Sequence, residues 1–185
     1  MRALVLLLVL AACGDDGSPA PIDGAPIDGA AIDSAPGDMG GNNLATTCTG
    51  TCATSLLTAT FGSTTRHLDV AYFGLSSSSA LYIEAYGGAA AGCPSMNSPT
   101  PDYTLIFGNV PTPTSTAMVT SPANLIDFQG DLLTSPAPMA ATAVMLTPVA
   151  KNAMELALDV NLTFPSGTIA GHLFATHCDS LDDTQ

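Results

Sequence analysis

The sequence predicts an all-β domain, an antiparallel β-sandwich or small β-barrel of about eight or nine strands, set behind a disordered N-terminal spacer. Three observations predict it. Between positions 154 and 164 the chain reads MELALDVNLTF, with every even position apolar and the odd ones mostly polar, the period of a half-buried strand. Clusters of Gly, Ser, Pro and Asn separate several shorter alternating runs at spacings that suit turns. No stretch of residues 44–185 holds apolar positions at i, i+3, i+4 and i+7 over a helical length.

Residues 1–12 read MRALVLLLVLAA: one cation, Arg2, then an apolar run, then small residues, the order of a secretory signal. The run is shorter than the ~20 apolar residues that a bilayer-spanning helix needs. Leu10-Ala11-Ala12-Cys13 resembles the lipobox of bacterial lipoproteins. In that family the thiol takes a diacylglycerol, the peptide is cut before the Cys, and the new amine is acylated. The resemblance implies that Cys13 is lipidated and becomes the first mature residue. One acyl chain binds marginally, at ~0.8 kcal/mol per buried CH2, whereas two or more anchor stably. An Asp after the lipidated Cys holds some family members at the inner membrane. Gly14 stands there in this chain, so the resemblance implies the outer membrane.

Residues 13–43 make the lipidated Cys and the spacer. Pro21-Ile22-Asp23-Gly24-Ala25 repeats as Pro26-Ile27-Asp28-Gly29-Ala30 and again as Ala31-Ile32-Asp33-Ser34-Ala35. Pro and Gly at this density break helices and ladders, and one Ile in each five-residue unit builds no core. Calcium would need six to eight oxygens converging from one tight loop, which evenly spread Asp residues do not supply. An extended, solvated tether is expected, a layout familiar from surface-tethered lipoproteins.

The β-rich domain, 44–185, has ten acids against Arg66 and Lys151, and the whole chain carries a net charge of −13. So few cations exclude an electrostatic grip on nucleic acid and argue against a polybasic hold on anionic headgroups. Strands are expected at 55–62, 66–73, 80–86, 103–107, 125–132, 141–148, 154–164 and 168–178, the last two forming a hairpin about Pro165-Ser166-Gly167. Acids on the polar faces, sparse aromatics and paired cysteines argue against a transmembrane barrel.

Apart from Cys13 the chain has four cysteines, Cys48, Cys52, Cys93 and Cys178, an even number that reads as two disulfides in an exported protein. The pairing expected is Cys48–Cys52 with Cys93–Cys178. A zinc site would draw on Cys178, His177 and the Cys48/Cys52 pair, without the paired short spacings that such sites show. Cys48 and Cys52 have three residues between them and no helix start or βαβ unit to lower a thiol pKa.

Motifs of catalysis are missing: there is no G-x-S-x-G, no H-E-x-x-H and no Gly-rich phosphate loop. His172 and His177 fall on opposite faces of one strand. His67 and Asp69 share a face and make a half-site that Glu84 would join if the register allowed. Asp127 and Asp131 have the makings of a glycosidase pair. The three prolines of the stretch 93–102 make it a rigid loop whose base a disulfide at Cys93 would pin, and Pro94, Asn97 and Asp102 are its candidate binding residues.

These features point to a non-catalytic, lipid-anchored envelope protein displaying a disulfide-stabilised β-domain, with a binding or structural role. The chain is expected to be a monomer with no cofactor, with a membrane held through its lipid and an unidentified protein or glycan as partner. The alternatives are a metal- or glycan-dependent binding module and a small extracytoplasmic hydrolase.

Overall fold

The computed structural model describes residues 43–77, 79–89 and 91–183. The expected signal peptide, Cys13 and nearly all of the spacer lie outside the described residues. Among those described, ten strands form: β1 (Leu56–Phe61), β2 (Thr64–Leu68), β3 (Val70–Ser77), β4 (Ala80–Gly87), β5 (Tyr103–Pro111), β6 (Ala123–Asp127), β7 (Met139–Ala140), β8 (Ala143–Lys151), β9 (Glu155–Phe164) and β10 (Gly167–His177). Short 3-10 turns at Gly50–Ala53 and Asp179–Leu181 flank them. None of the described residues forms a helix long and apolar enough to cross a membrane.

The strong alternation of β9 becomes a hairpin with β10, paired antiparallel from Phe164↔Gly167 to Glu155↔Thr176. On its far side β9 pairs with β8, antiparallel from Ala143↔Thr163 to Lys151↔Leu156. The other edge of β10 is shared. Its first half pairs antiparallel with β1, from Phe61↔Gly167 to Leu56↔His172, and its end pairs parallel with β3 at Thr176↔Tyr72 and His177↔Phe73. From β3 a meander runs through β4, β5 and β6 to β7. The result is one mixed sheet, not closed into a barrel, so the all-β expectation stands and the parallel pairing of β10 with β3 is an addition to it.

Both limbs of the sheet turn one face to a common core. Leu57 and Phe61 of β1, Phe73, Ile83, Phe107 and Leu125 of the meander, and Leu146, Leu158 and Leu173 of β8–β10 all belong to one buried cluster. At ~25 cal/mol per Å2 of apolar surface removed from water, this cluster is the main stabilising term.

Beyond shifts at strand ends, such as β5 running on from 107 to Pro111 and β8 from 148 to Lys151, three elements differ from the sequence expectation, each for a physical reason. The run 66–73 divides at Asp69. A straight strand would send Leu68 to the face opposite Ala71 and Phe73, whereas a corner at Asp69 buries all three in the same core. The Asp69 amide donates to the Tyr86 carbonyl at 3.0 Å and fixes that corner. The run 125–132 stops at Asp127, whose buried carboxylate accepts amides of Gly130, Leu132 and Leu133 at 2.7–2.8 Å and curls the chain into a loop. Finally, β7 is two residues long, too short to show a period. It pairs with β6, and the chain then passes to the other limb, where the Thr142 amide donates to the Thr163 carbonyl at 2.7 Å.

Between the end of the β1 pairing at His172 and the start of the β3 pairing at Thr176, the edge of β10 has no strand beside it. Ser55 fills the gap. Its hydroxyl donates to the Phe174 carbonyl and accepts the Phe174 amide, each at 2.7 Å. Ser55→Ala strips both bonds from the backbone of Phe174. A loss of about 1–3 kcal/mol is expected, read as a lower urea midpoint with unchanged slope. An unchanged midpoint would show that water satisfies Phe174 instead.

Candidate functional site

Because Ala71, Phe73, Ile83, Ala85, Leu105 and Leu125 point into the core, the residues between them point outward. The register sets Tyr72, Glu84 and Ile106 in one row across β3, β4 and β5, and Tyr86, Thr104 and Ile126 in the next row across β4, β5 and β6. An outward face ordinarily meets water, yet Tyr72, Tyr86 and Thr104 are buried. The segment between β4 and β5 folds back over them and leaves a pocket of about 440 Å3. Its floor is these two rows, and its walls include Ala89, Pro94, Ser98, Pro99, Pro101 and Phe128.

The covering segment is held at both ends and in its middle. Gly88, at φ 70°, lies against the Asp102 side chain where no Cβ fits. The Asp102 amide donates to the Gly87 carbonyl at 2.9 Å, its carbonyl accepts the Phe128 amide at 2.9 Å, and its carboxylate accepts Gln129 Nε2 at 2.6 Å. Cys93 and Cys178 pair at disulfide distance, Cα–Cα 5.6 Å, and tie the segment to the end of β10. Nearby, Ser180 donates to the Pro94 carbonyl at 2.6 Å and the Gly92 amide donates to Tyr72 Oη at 2.5 Å. Ser95 and Ser98 close a tight turn. Of the three loop candidates, Pro94 lines the pocket, whereas Asp102, at the base of the covering segment, and exposed Asn97 stand outside the lining.

Glu84 supplies a carboxylate to the lining. Tyr82 Oη donates to its Oε1 at 2.8 Å, and Tyr86 Oη donates to its Oε2. Burial raises the Glu84 carboxyl above the ordinary carboxylate range, against a smaller opposing pull from the Tyr82 hydrogen bond. Burial and the neighbouring Glu84 push the Tyr82 phenol well up, so it remains a proton donor at neutral pH.

The other candidates are dispersed and engaged. His67 Nδ1 lies 3.4 Å from Thr58 Oγ1 on the β1–β2 hairpin, and neither His67 nor Asp69 lines the pocket that holds Glu84. The proposed carboxylate pair serves structure: Asp127 holds its loop, while Asp131 accepts from Tyr103 Oη at 2.8 Å and from Arg66 Nε at 3.0 Å. The Tyr103 hydrogen bond and then Arg66 hold the Asp131 carboxyl below its ordinary value. His172 lies between Asp159 at 2.7 Å and the Cys52 carbonyl at 2.9 Å. His177 sits within 3.0 Å of Asp182 and 3.4 Å of Asp179, on the other face of β10.

Cys48 and Cys52 also pair at disulfide distance, Cα–Cα 5.3 Å. They gather with His172 rather than with His177 and Cys178, so the zinc set considered from the sequence is not assembled. Comparison with family models, with curated proteins and with solved structures gives no match to this chain.

The loop is marked in the sequence by its prolines, the floor beneath it less plainly. The signal was present: Tyr82-Ile83-Glu84-Ala85-Tyr86 puts two phenols and a carboxylate on one face of a strand whose other face is fully apolar.

Since folding raises the Glu84 pKa, the folded chain holds that proton more tightly than the unfolded chain. The group's contribution is therefore most favourable at acid pH and declines as pH rises from the ordinary carboxylate range through the raised value. Glu84→Gln removes the declining part. Relative to the parent, the variant's melting temperature is expected to be more favourable at pH 7 than at pH 4. Equal differences at the two pH values would contradict this assignment.

Proposed function

We propose that this chain is a lipid-anchored protein of the cell envelope, in the outer membrane, whose β-domain is a non-catalytic binding module. The observation that carries the binding role is the pocket on the outer face of β3–β6. Its volume lies in the range of ligand sites, ~300–1,000 Å3, and its lining is mainly apolar with a few convergent polar groups. Its cover is fixed by Asp102 and by the Cys93–Cys178 pair, so the cavity is formed in advance rather than assembled by a ligand. The anchor rests on Leu10-Ala11-Ala12-Cys13, and the Pro/Asp/Gly spacer holds the module away from the lipid.

The non-catalytic reading is supported by how the candidate carboxylates and imidazoles outside the pocket are engaged. Asp127, Asp131, His172 and His177 each have close protein partners, and none lines the pocket. Asp127 is engaged by three backbone amides and Asp131 by Tyr103 and Arg66, so neither carboxylate is presented to a molecule in the pocket.

Two measurements test the proposal. Metabolic labelling with an alkyne fatty acid should tag the parent chain, and Cys13→Ala should abolish the tag and release the protein from the membrane fraction. Retained label in Cys13→Ala would refute the anchor. Titration of the oxidised full chain with small-molecule fragments, followed by NMR, should shift the methyl signals of Thr104, Ile106 and Ile126 while leaving Val144 of β8 unmoved. Fragments that move only sites outside this group would refute the pocket.

A further inference from the structure

We propose that the pocket takes a small organic cation, an alkylammonium whose head meets the Glu84 carboxylate and whose hydrocarbon body lies along Ile106, Ile126 and the prolines of the cover. This deepens the reading of the pocket as a binding site and rests on it.

Glu84 is a carboxylate without a cation. Among the described residues the basic groups are placed elsewhere: Arg66 on Asp131, Lys151 on the Asn152 carbonyl, His172 on Asp159, His177 on Asp179 and Asp182, and His67 beside Thr58. The two hydroxyls that Glu84 accepts are neutral donors, one to each oxygen. A carboxylate has about four acceptor positions, so the pair of phenols orients the group and leaves it able to accept more. A charge so placed is costly to desolvate until an opposite charge joins it.

The walls select among cations. Calcium requires six to eight oxygens, whereas Pro94, Pro99, Pro101, Ile106 and Ile126 offer hydrocarbon. An ammonium on an alkyl chain uses both features. Tyr72, Tyr86 and Phe128 also line the pocket, and aromatic rings attract a partly desolvated cation through their quadrupoles. The whole chain, at −13, draws cations towards it and disfavours anions. An anionic ligand would face Glu84 with no Lys or Arg in the lining to receive it.

The test compares n-butylammonium with its neutral counterpart 1-butanol and with butyrate, each titrated into the oxidised, full-length Cys13→Ser chain. Shifts at Thr104, Ile106 and Ile126 report occupancy. The ammonium is expected to bind at least about tenfold more tightly than the alcohol, the scale of one charge-assisted hydrogen bond, and butyrate to give no shift. Glu84→Gln should bring the ammonium down to the level of the alcohol. The comparison of ligands on the parent pocket needs no substitution in the floor, so it decides the matter even where Glu84→Gln fails to fold. If the alcohol binds as tightly as the ammonium, or butyrate binds best, the cation is overturned while the pocket stands. If none of the three shifts these residues, and the fragment titration is silent there too, both readings fall.

Discussion

Strand β10 is paired with β9 along nearly its whole length, while its opposite edge passes from β1 to β3. A strand edge that changes partners must leave some backbone groups between the two ladders, and buried groups left unpaired cost about 1–3 kcal/mol each. The single hydroxyl of Ser55 satisfies both the amide and the carbonyl of Phe174 at that point. With the gap closed, one edge supports two separate sets of strands, the β1–β2 hairpin and the meander β3–β7. Both limbs can then turn their apolar faces to a single core. The outward face of the meander, on which the pocket is built, is a consequence of that arrangement.

What could be read from the sequence was local. Alternation located eight strand segments because burial of one face imposes a period of two on any strand at such a core. It did not locate the corner at Asp69, since the change of parity between Leu68 and Ala71 becomes meaningful only when both are known to face the same core. It overextended β6 because Phe128 to Leu132 contains apolar residues, while the three amides that Asp127 collects are a matter of loop geometry. The parallel contact between β10 and β3 joins residues 104 positions apart, Thr176 with Tyr72 and His177 with Phe73, and leaves no periodic trace. The candidate site was half legible. Three prolines beside a cysteine marked the cover, whereas the floor depends on the register among four strands, which only pairing reveals.

The two cysteine pairs have corresponding positions on the exterior. Each belongs to a small buried cluster apart from the main core: Cys48 with Ala150 and Ala157, and Cys178 with Tyr72 and Tyr86. Each pair therefore fastens an irregular segment over the outer face of one limb. The difference lies in loop length. Cys48–Cys52 closes a short loop and fixes a local turn, while Cys93–Cys178 spans 85 residues and removes far more freedom from the unfolded chain. The larger constraint falls on the segment that covers the pocket, where a loop rich in Ser, Pro and Gly would otherwise lack the apolar contacts to stay in place.

A domain with ten acids and two Lys or Arg must hold its carboxylates mostly with neutral donors. It does so repeatedly: backbone amides on Asp127, Gln129 on Asp102, Asn152 on Glu155, and the Leu75 amide on Asp182. In this company Glu84 differs by what lies in front of it. Asp127 accepts three amides from the loop that it organises, so its charge is spent on structure. Glu84 accepts two phenols from its own strand and faces an apolar cavity. Tyrosines at both i−2 and i+2 keep the side chain in place, and burial raises its pKa against the opposing pull of the Tyr82 hydrogen bond. An apolar residue at this position would leave both phenols without their acceptor, so the carboxylate orders its row of the floor between Tyr72 and Ile106 while it faces the cavity.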